Sequence, residues 1–311
     1  LNLPITPITD LRIHQGDLIA ATSGRSFWIL DDLGLIRQDK KQTDSLVLYQ
    51  SENPYLVNGG SELNRSSSDF RGANTLRGVN PSTGVVIYYH LPQIPSADEI
   101  TMEIKDAQGK TVRTFSSKAD STFQNYDGGP DEEPTLPKSQ GLNRFVWDMR
   151  YPTITGVPNV YIESSFSGHK ASPGKYTIHL KAARRTLSST VEILANPLYP
   201  TTTKIYLEYH EVMSGMEKEV NRMHIMINDI YGKREQLEGI LAAMPSEVRY
   251  VSLKKEVSDL IQKMKIWDED MIQRKSKAYD DVENFPNKFT ANYLFMLNQT
   301  ESDIPRVNKP S

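Results

Sequence analysis

Carboxylates and imidazoles are the side chains of this sequence most suited to chemistry. The tandem Asp31-Asp32 stands at the end of an apolar strand, and a glycoside-hydrolysing pair needs two carboxyls facing one sugar across roughly 5 to 9.5 Å. Adjacent strand residues point to opposite faces, so this spacing predicts strand-end turn chemistry instead. Asp127, Asp131, Glu132 and Glu133 gather four carboxylates within seven residues, enough oxygen for a weak calcium site. They lack the ordered ligand spacing of a helix–loop–helix calcium loop, which favours a solvated acidic loop. His210, Glu217 and His224 recur at seven-residue steps. On a helix those side chains lie about two turns apart, too far to share one metal ion. Between Tyr151 and His169, the residues Tyr151, Tyr161, Phe166 and His169 could stack on sugar rings or pack on an adjacent module. The glycines of the 51–83 stretch come without a Gly-Lys-Ser/Thr pattern or a strand–loop–helix context, so no nucleotide site is expected there. No residue is assigned to catalysis, to a cofactor or to a metal.

These groups must be positioned by a chain of 311 residues with 36 basic and 39 acidic side chains, a formal charge of −3. That length fits two or three domains. Charged residues at 24% and hydrophobic ones at 38% describe a folded chain rather than a disordered one. The balance offers no basic stripe for nucleic acid. No apolar run approaches the ~18 residues of a membrane-spanning helix. With zero cysteines, disulfides, thiol nucleophiles and thiolate zinc sites are excluded. Leu1-Asn2-Leu3-Pro4 and the polar end at Pro305, Lys309, Pro310 and Ser311 read as the cut ends of a fragment.

Residues 1–50 predict three short strands, Leu11–His14, Leu18–Thr22 and Ser26–Leu30, with turns at Gln15-Gly16-Asp17 and Ser23-Gly24-Arg25. Phe27 and Ile29 alternate with Trp28 and Leu30, so both faces are apolar, as in a strand packed between neighbouring sheets. This is either an N-terminal sheet packed on the next module or the last blade of a β-propeller. Residues 51–83 form a connector anchored by Tyr55, Leu56, Val57 and Phe70. Residues 84–196 predict an immunoglobulin-like antiparallel β-sandwich. Its strands are Val85–His90, Glu99–Lys105, Thr111–Ser116, Asn143–Asp148, Lys175–Lys181 and Leu187–Leu194, with Trp147 as core anchor.

Residues 200–311 change period. Tyr209, Met213, Met216, Val220, Met223, Ile227, Ile230, Arg234, Leu237 and Leu241 step alternately by four and three. After Pro245-Ser246 the pattern resumes at Tyr250, Leu253, Val257, Leu260, Met264, Trp267, Met271, Arg274 and Ala278. Two heptad seams across so short a break predict an antiparallel, coiled-coil-like helical hairpin, with Ser246 as N-cap. A shorter third helix is expected over Thr290–Asn298. Eight of the ten methionines lie beyond Pro200; heptad core packing is favoured over a Met-rich partner groove.

Several separated motifs carry a resemblance. The segment GRSFWILDD from Gly24 to Asp32 resembles the closing blade of bacterial sialidase-repeat (Asp-box), sortilin-like β-propeller proteins of glycosyl-hydrolase-like type. Where that family has a His before the Gly-Arg pair and a Gly after it, Ser23 and Ser26 stand here. The resemblance continues through FRGANTLRGVNPSTGVVIYYHL, GLNRFVWDMRYP, SPGKYTIHLKA and FPNKFTANYLFMLNQTESDIPRVN, spanning nearly the whole chain. It implies an exported protein, secreted or of the periplasm and cell envelope, in which any glycoside chemistry belongs to an upstream propeller. The expectation is therefore a fragment of multidomain β-plus-α type that serves as a non-catalytic accessory region. The alternatives are part of a glycoside hydrolase with its active site upstream, or a carbohydrate-binding module. Expected partners are the upstream propeller of the same polypeptide, a protein or second copy at the hairpin, and a glycan; nucleic acid and a membrane span are not expected. Asp44-Ser45-Leu46 and Asp120-Ser121-Thr122 resemble an O-glycosylation signal of exported bacterial proteins, and Asn64 and Asn298 head Asn-x-Ser/Thr sequons.

Overall fold

The computed structural model describes residues 3, 5–38, 45–66, 78–199 and 201–300. Phe70 and its motif's opening residues, Asp44, and the tail containing Pro305 to Ser311 lie outside them. The chain forms two compact units. The first comprises Leu1–Ala119, Glu133–Arg150 and Lys170–Thr201; the second comprises Asp120–Glu132, Tyr151–His169 and Thr202–Ser311. Two loops of the 84–196 region thus belong with the helices.

In the first unit, β1 (Ile8–His14), β2 (Asp17–Thr22) and β3 (Phe27–Leu30) form an antiparallel sheet in that order. Gln15 and Gly16 turn the first hairpin with φ of 46° and 89°, the doubly left-handed pair that suits a two-residue connection. Pairing Leu11 with Ala20 and Ala20 with Trp28 puts those three on one face. Phe27 and Ile29 take the other. The burial that such residues require is missing: Leu11, Ile13, Phe27 and Ile29 are 55, 60, 73 and 60% exposed.

After the short helix α1 (Leu33–Gln38), β4 (Val47–Leu48) pairs with β5 (Val85–Leu91), and β5 pairs with β8 (Gly141–Trp147). Residues 47–48, grouped by sequence with the opening strands, therefore pair with a later sheet. Opposite it, β6 (Thr101–Lys105), β7 (Thr111–Ser116), β9 (Gly174–Ala182) and β10 (Arg185–Ile193) form a four-stranded antiparallel sheet in the order β10-β9-β6-β7. Strict alternation in β5 buries Val85, Ile87, Tyr89 and Leu91 completely, the period-2 pattern of a strand facing a core. The two inner faces meet where Phe115 packs edge-on to Phe145 at 4.7 Å and Trp147 to Tyr176 at 5.6 Å. Trp147 is the expected anchor, fully buried with its indole N–H donated to the Arg150 carbonyl at 3.1 Å.

The connector is tied down at both ends. Leu56 donates its N–H to the Leu194 carbonyl at 2.7 Å, and Leu194 donates to the Pro54 carbonyl at 2.8 Å. Asn64 accepts from the Thr83 N–H and the Ser82 hydroxyl, each at 2.9 Å.

In the second unit, α2 (Thr203–Ala243) runs 41 residues, about 60 Å at 1.5 Å per residue. Thr202 caps it by accepting from the Ile205 N–H at 3.4 Å. A single 3-10 turn over Val248–Tyr250 leads into α3 (Val251–Met271), giving the antiparallel hairpin. Ser246 is not the cap; Tyr250 occupies that position, without a side-chain cap bond. α3 also stops short of Ala278, because Ile272 turns extended and Arg274 folds back to donate to Asp268 at 2.5 and 2.7 Å. Two further helices come after it, α4 (Asp281–Asn284) and α5 (Phe289–Thr300), the latter covering the expected 290–298.

The second unit's core gathers Tyr209, Met213, Val220 and Ile227 of α2, Leu294 and Leu297 of α5, and Ile154, Val160 and Phe166 of the 151–169 loop. In α2 the buried residues end at Ile227. Leu253 and Leu260, expected in the seam, are exposed, while Ile261 and Asp268 are buried. The inward line of α3 keeps the heptad step but runs through Val257, Ile261, Met264 and Asp268, so Val257 and Met264 hold their expected places while Ile261 and Asp268 turn inward instead of Leu260 and Trp267.

Candidate functional site

One concentration of ionisable groups lies in the first unit. A cleft of about 560 Å³ is lined by Asp17, Asp31, Asp32, Glu52, Tyr88 and Arg144, among others. The turn after β3 brings the acids together. Asp32 adopts a left-handed backbone, φ 58°, which breaks strand alternation, so Asp31 and Asp32 both line the cleft rather than facing oppositely. Asp32 donates its N–H to Asp17 Oδ1 at 3.2 Å and accepts from the Tyr88 hydroxyl at 2.7 Å. Glu52 reaches in from the connector. Its carboxylate tip lies over Gly16, where a backbone φ of 89° favours glycine.

Crowding sets the electrostatics. Asp17, Asp31 and Glu52 each hold their protons more strongly than an ordinary carboxylic acid, first through desolvation and then through the neighbouring carboxylates. Asp31 and Glu52 keep solvent contact at the rim, so this burial is crowding by protein rather than full enclosure. Burial, and after it the charge of Asp32, pushes the Tyr88 phenol up. Arg144 supplies the guanidinium: its Nε donates to Tyr88 at 3.3 Å, and its terminal nitrogens donate to the carbonyls of Leu63 (2.6 Å) and Arg65. Among the described residues, no group of three His, Cys, Asp or Glu side chains is arranged to hold a metal ion. The arrangement can stabilise positive charge or retain a proton on a carboxyl.

In the second unit, Glu217, His169 and His210 form a hydrogen-bonded chain. His169 Nδ1 lies 2.8 Å from Glu217 Oε2, and its Nε2 lies 2.9 Å from His210 Nδ1, which is 3.3 Å from the Ser214 hydroxyl. Tyr151 stacks on both rings, at 4.4 and 5.1 Å. The residue types match an acid–base relay, but the His169 side chain is wholly buried, which closes its ring to substrate. His224 is buried too, with Nδ1 2.6 Å from the Thr155 carbonyl.

A third feature is apolar. On the hairpin, Ile230, Leu237 and Ile240 of α2 and Leu260, Met264 and Trp267 of α3 border a groove of about 640 Å³.

The chain matches no protein-family model, no curated protein and no solved structure.

The structure scatters some residues singled out by sequence and joins others. Of the acidic loop, Glu133 pairs with Arg113 at 2.5 Å in the first unit, whereas Asp127, Asp131 and Glu132 belong to the second, with Asp131 and Glu132 exposed. Phe166 and His169 are buried in the second unit rather than displayed as a stacking platform. Glu217 and His210 meet through His169, a loop residue that no helical periodicity could place beside them. Asp17, Glu52, Tyr88 and Arg144 are not singled out by sequence. Their one local signal is the accumulation of acids beside turns at positions 17, 31, 32 and 52. No described helix is long and apolar enough to cross a membrane.

Proposed function

We propose that this chain is a non-catalytic accessory region of an exported protein of the sialidase-repeat propeller type. In this reading β1 to β3 contribute strands to a larger β-structure, and the later modules space or dock it. One observation carries it: a three-stranded sheet with apolar side chains on both faces leaves Leu11, Ile13, Phe27 and Ile29 more than half exposed. Isolated small sheets are marginal, and exposed apolar patches mark interaction surfaces. The finer immunoglobulin-like assignment is supported by the order of the seven strands β4 to β10. The first, second and fifth share one sheet, and the third, fourth, sixth and seventh share the other. The hairpin groove supports self-association as the accompanying partner reading.

Sedimentation velocity and hydrophobic-dye binding test the docking role, with a Phe27→Thr/Ile29→Thr variant as the comparison. The wild-type chain should bind dye and associate with rising concentration, and the variant should do so markedly less at unchanged circular dichroism. A wild-type chain that stays monomeric and dye-silent near millimolar concentration counts against it. The cleft carboxyls favour a second reading, part of a glycoside hydrolase, because a proton-retaining carboxyl is what a general acid requires. Turnover of chromogenic glycosides by this chain, lost in Asp31→Asn, would install that reading in place of the first.

A further inference from the structure

The opening sheet has two edges, and their hydrogen bonds make them unlike. Along an antiparallel pair, residues alternate between exchanging backbone hydrogen bonds with the partner strand and turning those groups away from it. Thr22 donates its N–H to the Ser26 carbonyl at 3.2 Å, and the same register runs on through Ala20–Trp28 and Leu18–Leu30. Trp28 and Leu30 therefore direct their backbone groups to β2, while Phe27 and Ile29 point theirs outward. Those outward N–H and C=O groups have no hydrogen-bond partner among the described residues. β3 also carries no charged side chain and no bulge. β1 is the opposite case, with Leu11 and Ile13 facing outward by the same alternation. The Leu11 N–H is already donated to Asp10 Oδ1 at 2.9 Å, and Arg12 bonds the same carboxylate at 3.2 Å. The register of β1 slips between Ile8 and Asp10. An occupied donor, charged side chains and a bulge are features that keep an edge strand from pairing.

The spacing of the open groups selects the occupant. A two-fold axis at Trp28 lays Phe27 against Ile29 of a second β3 running antiparallel, so each outward N–H meets an outward C=O. The Phe27 and Ile29 side chains then face each other across the join, an apolar cross-strand pair. At each end the exposed Arg25, which precedes β3, comes level with the exposed Asp31, which follows β3 in the other copy; their charges are opposite. Such an isologous contact closes after one pairing, which gives a dimer and not a fibre. We propose that β3 is the joining edge of the opening sheet and that it pairs with β3 of a second copy about Trp28, by strand addition. The proposal rests on the docking role given to this sheet and adds which edge makes the join and with what.

Sedimentation velocity of the intact chain over a range of concentrations, with Ile29→Pro and Ile13→Pro as variants, tests the proposal. Proline is tolerated at an edge position whose N–H points to solvent, so each variant removes one outward donor and leaves the pairing with β2 intact. Ile29→Pro should weaken dimerisation about tenfold, the scale of the two symmetry-related hydrogen bonds lost. Ile13→Pro should leave it unchanged. Hydrogen exchange of the wild-type chain gives a second readout that needs no variant. The Phe27 and Ile29 amides should become protected as concentration rises, and the Ile13 amide should not. The assignment is overturned by wild-type dimerisation strength in Ile29→Pro, by equal losses in both proline variants, or by Phe27 and Ile29 amides that exchange at one rate at every concentration. Association lost in Phe27→Thr/Ile29→Thr but kept in Ile29→Pro would remove the edge pairing alone and leave docking through the sheet face, so the two proposals can fail separately.

Discussion

Glu217 holds His169 with both carboxylate oxygens: Oε1 accepts the backbone N–H at 2.5 Å, and Oε2 lies 2.8 Å from the ring Nδ1. One side chain of a long helix thereby fixes the end of the 151–169 loop, whose apolar residues build much of the second unit's core. Glu217→Ala strands two buried donors at once. It should destabilise the second unit by about 3 kcal/mol, with Glu217→Gln costing less because one acceptor survives. Urea unfolding monitored by helical circular dichroism measures the difference, and a near-neutral Glu217→Ala would show the clasp to be incidental.

His224 makes the same unit sensitive to acid. Burial lowers its pKa, against a smaller opposing contribution from the Thr155 carbonyl. Below the ordinary histidine value of 6.5, the unfolded chain takes up a proton that the folded chain resists. Stability therefore falls as pH drops below that value and is unaffected by this group at higher pH. His224→Phe should flatten the decline between neutral pH and pH of about 5. An equal decline in the variant assigns the acid sensitivity elsewhere.

Asp268 is almost fully buried between two arginines. Arg274 donates to it at 2.5 and 2.7 Å, Arg234 approaches to 3.8 Å, and the Arg274 and Arg234 guanidinium groups lie over the Tyr231 ring at 4.0 and 4.5 Å. Removing the central charge leaves two cations facing each other, so Asp268→Ala should cost about 3 kcal/mol. Adding Arg274→Met should recover part of that loss, read by the same urea unfolding. Without recovery in the double mutant, the ion cluster is not the source of the stability.

Protection along the hairpin should be graded. Buried residues of α2 end at Ile227, and beyond it Ile240 and, across the turn, Leu253 are exposed. Native-state hydrogen exchange should show amides of residues 232–243 and 251–257 exchanging at least about tenfold faster than those of 209–227. Uniform protection would mean that the groove end is covered in solution, as self-association would cover it.

Much of the architecture is legible in the sequence because it rests on local periodicity. The alternation in Ile100, Met102 and Ile104, the turn at Gln15-Gly16 and the four-three stepping through α2 each depend on neighbours a few residues away. The sites are less legible. Strand alternation predicts opposite faces for Asp31 and Asp32, but the left-handed Asp32 ends that alternation one residue early. Helical spacing puts His210 and Glu217 on one face, yet the group that joins them comes from 41 and 48 residues upstream in the chain.

The sequence alone specified strands at β1 to β3 and β5 to β10 and helices at α2, α3 and α5, since hydrogen-bonding geometry and apolar period are set within a turn of helix or a pair of strands; the short elements α1, β4 and α4 carry too little period to be read. The sequence also determined that both faces of the opening sheet would be apolar. Which polar groups share a space follows instead from how distant segments pack. Asp17, Asp31, Asp32 and Glu52 meet because a hairpin, a turn and a connector converge, and His169 meets Glu217 because a loop joins the helices. Such meetings depend on long-range chain closure, and side-chain spacing along the sequence carries no record of it.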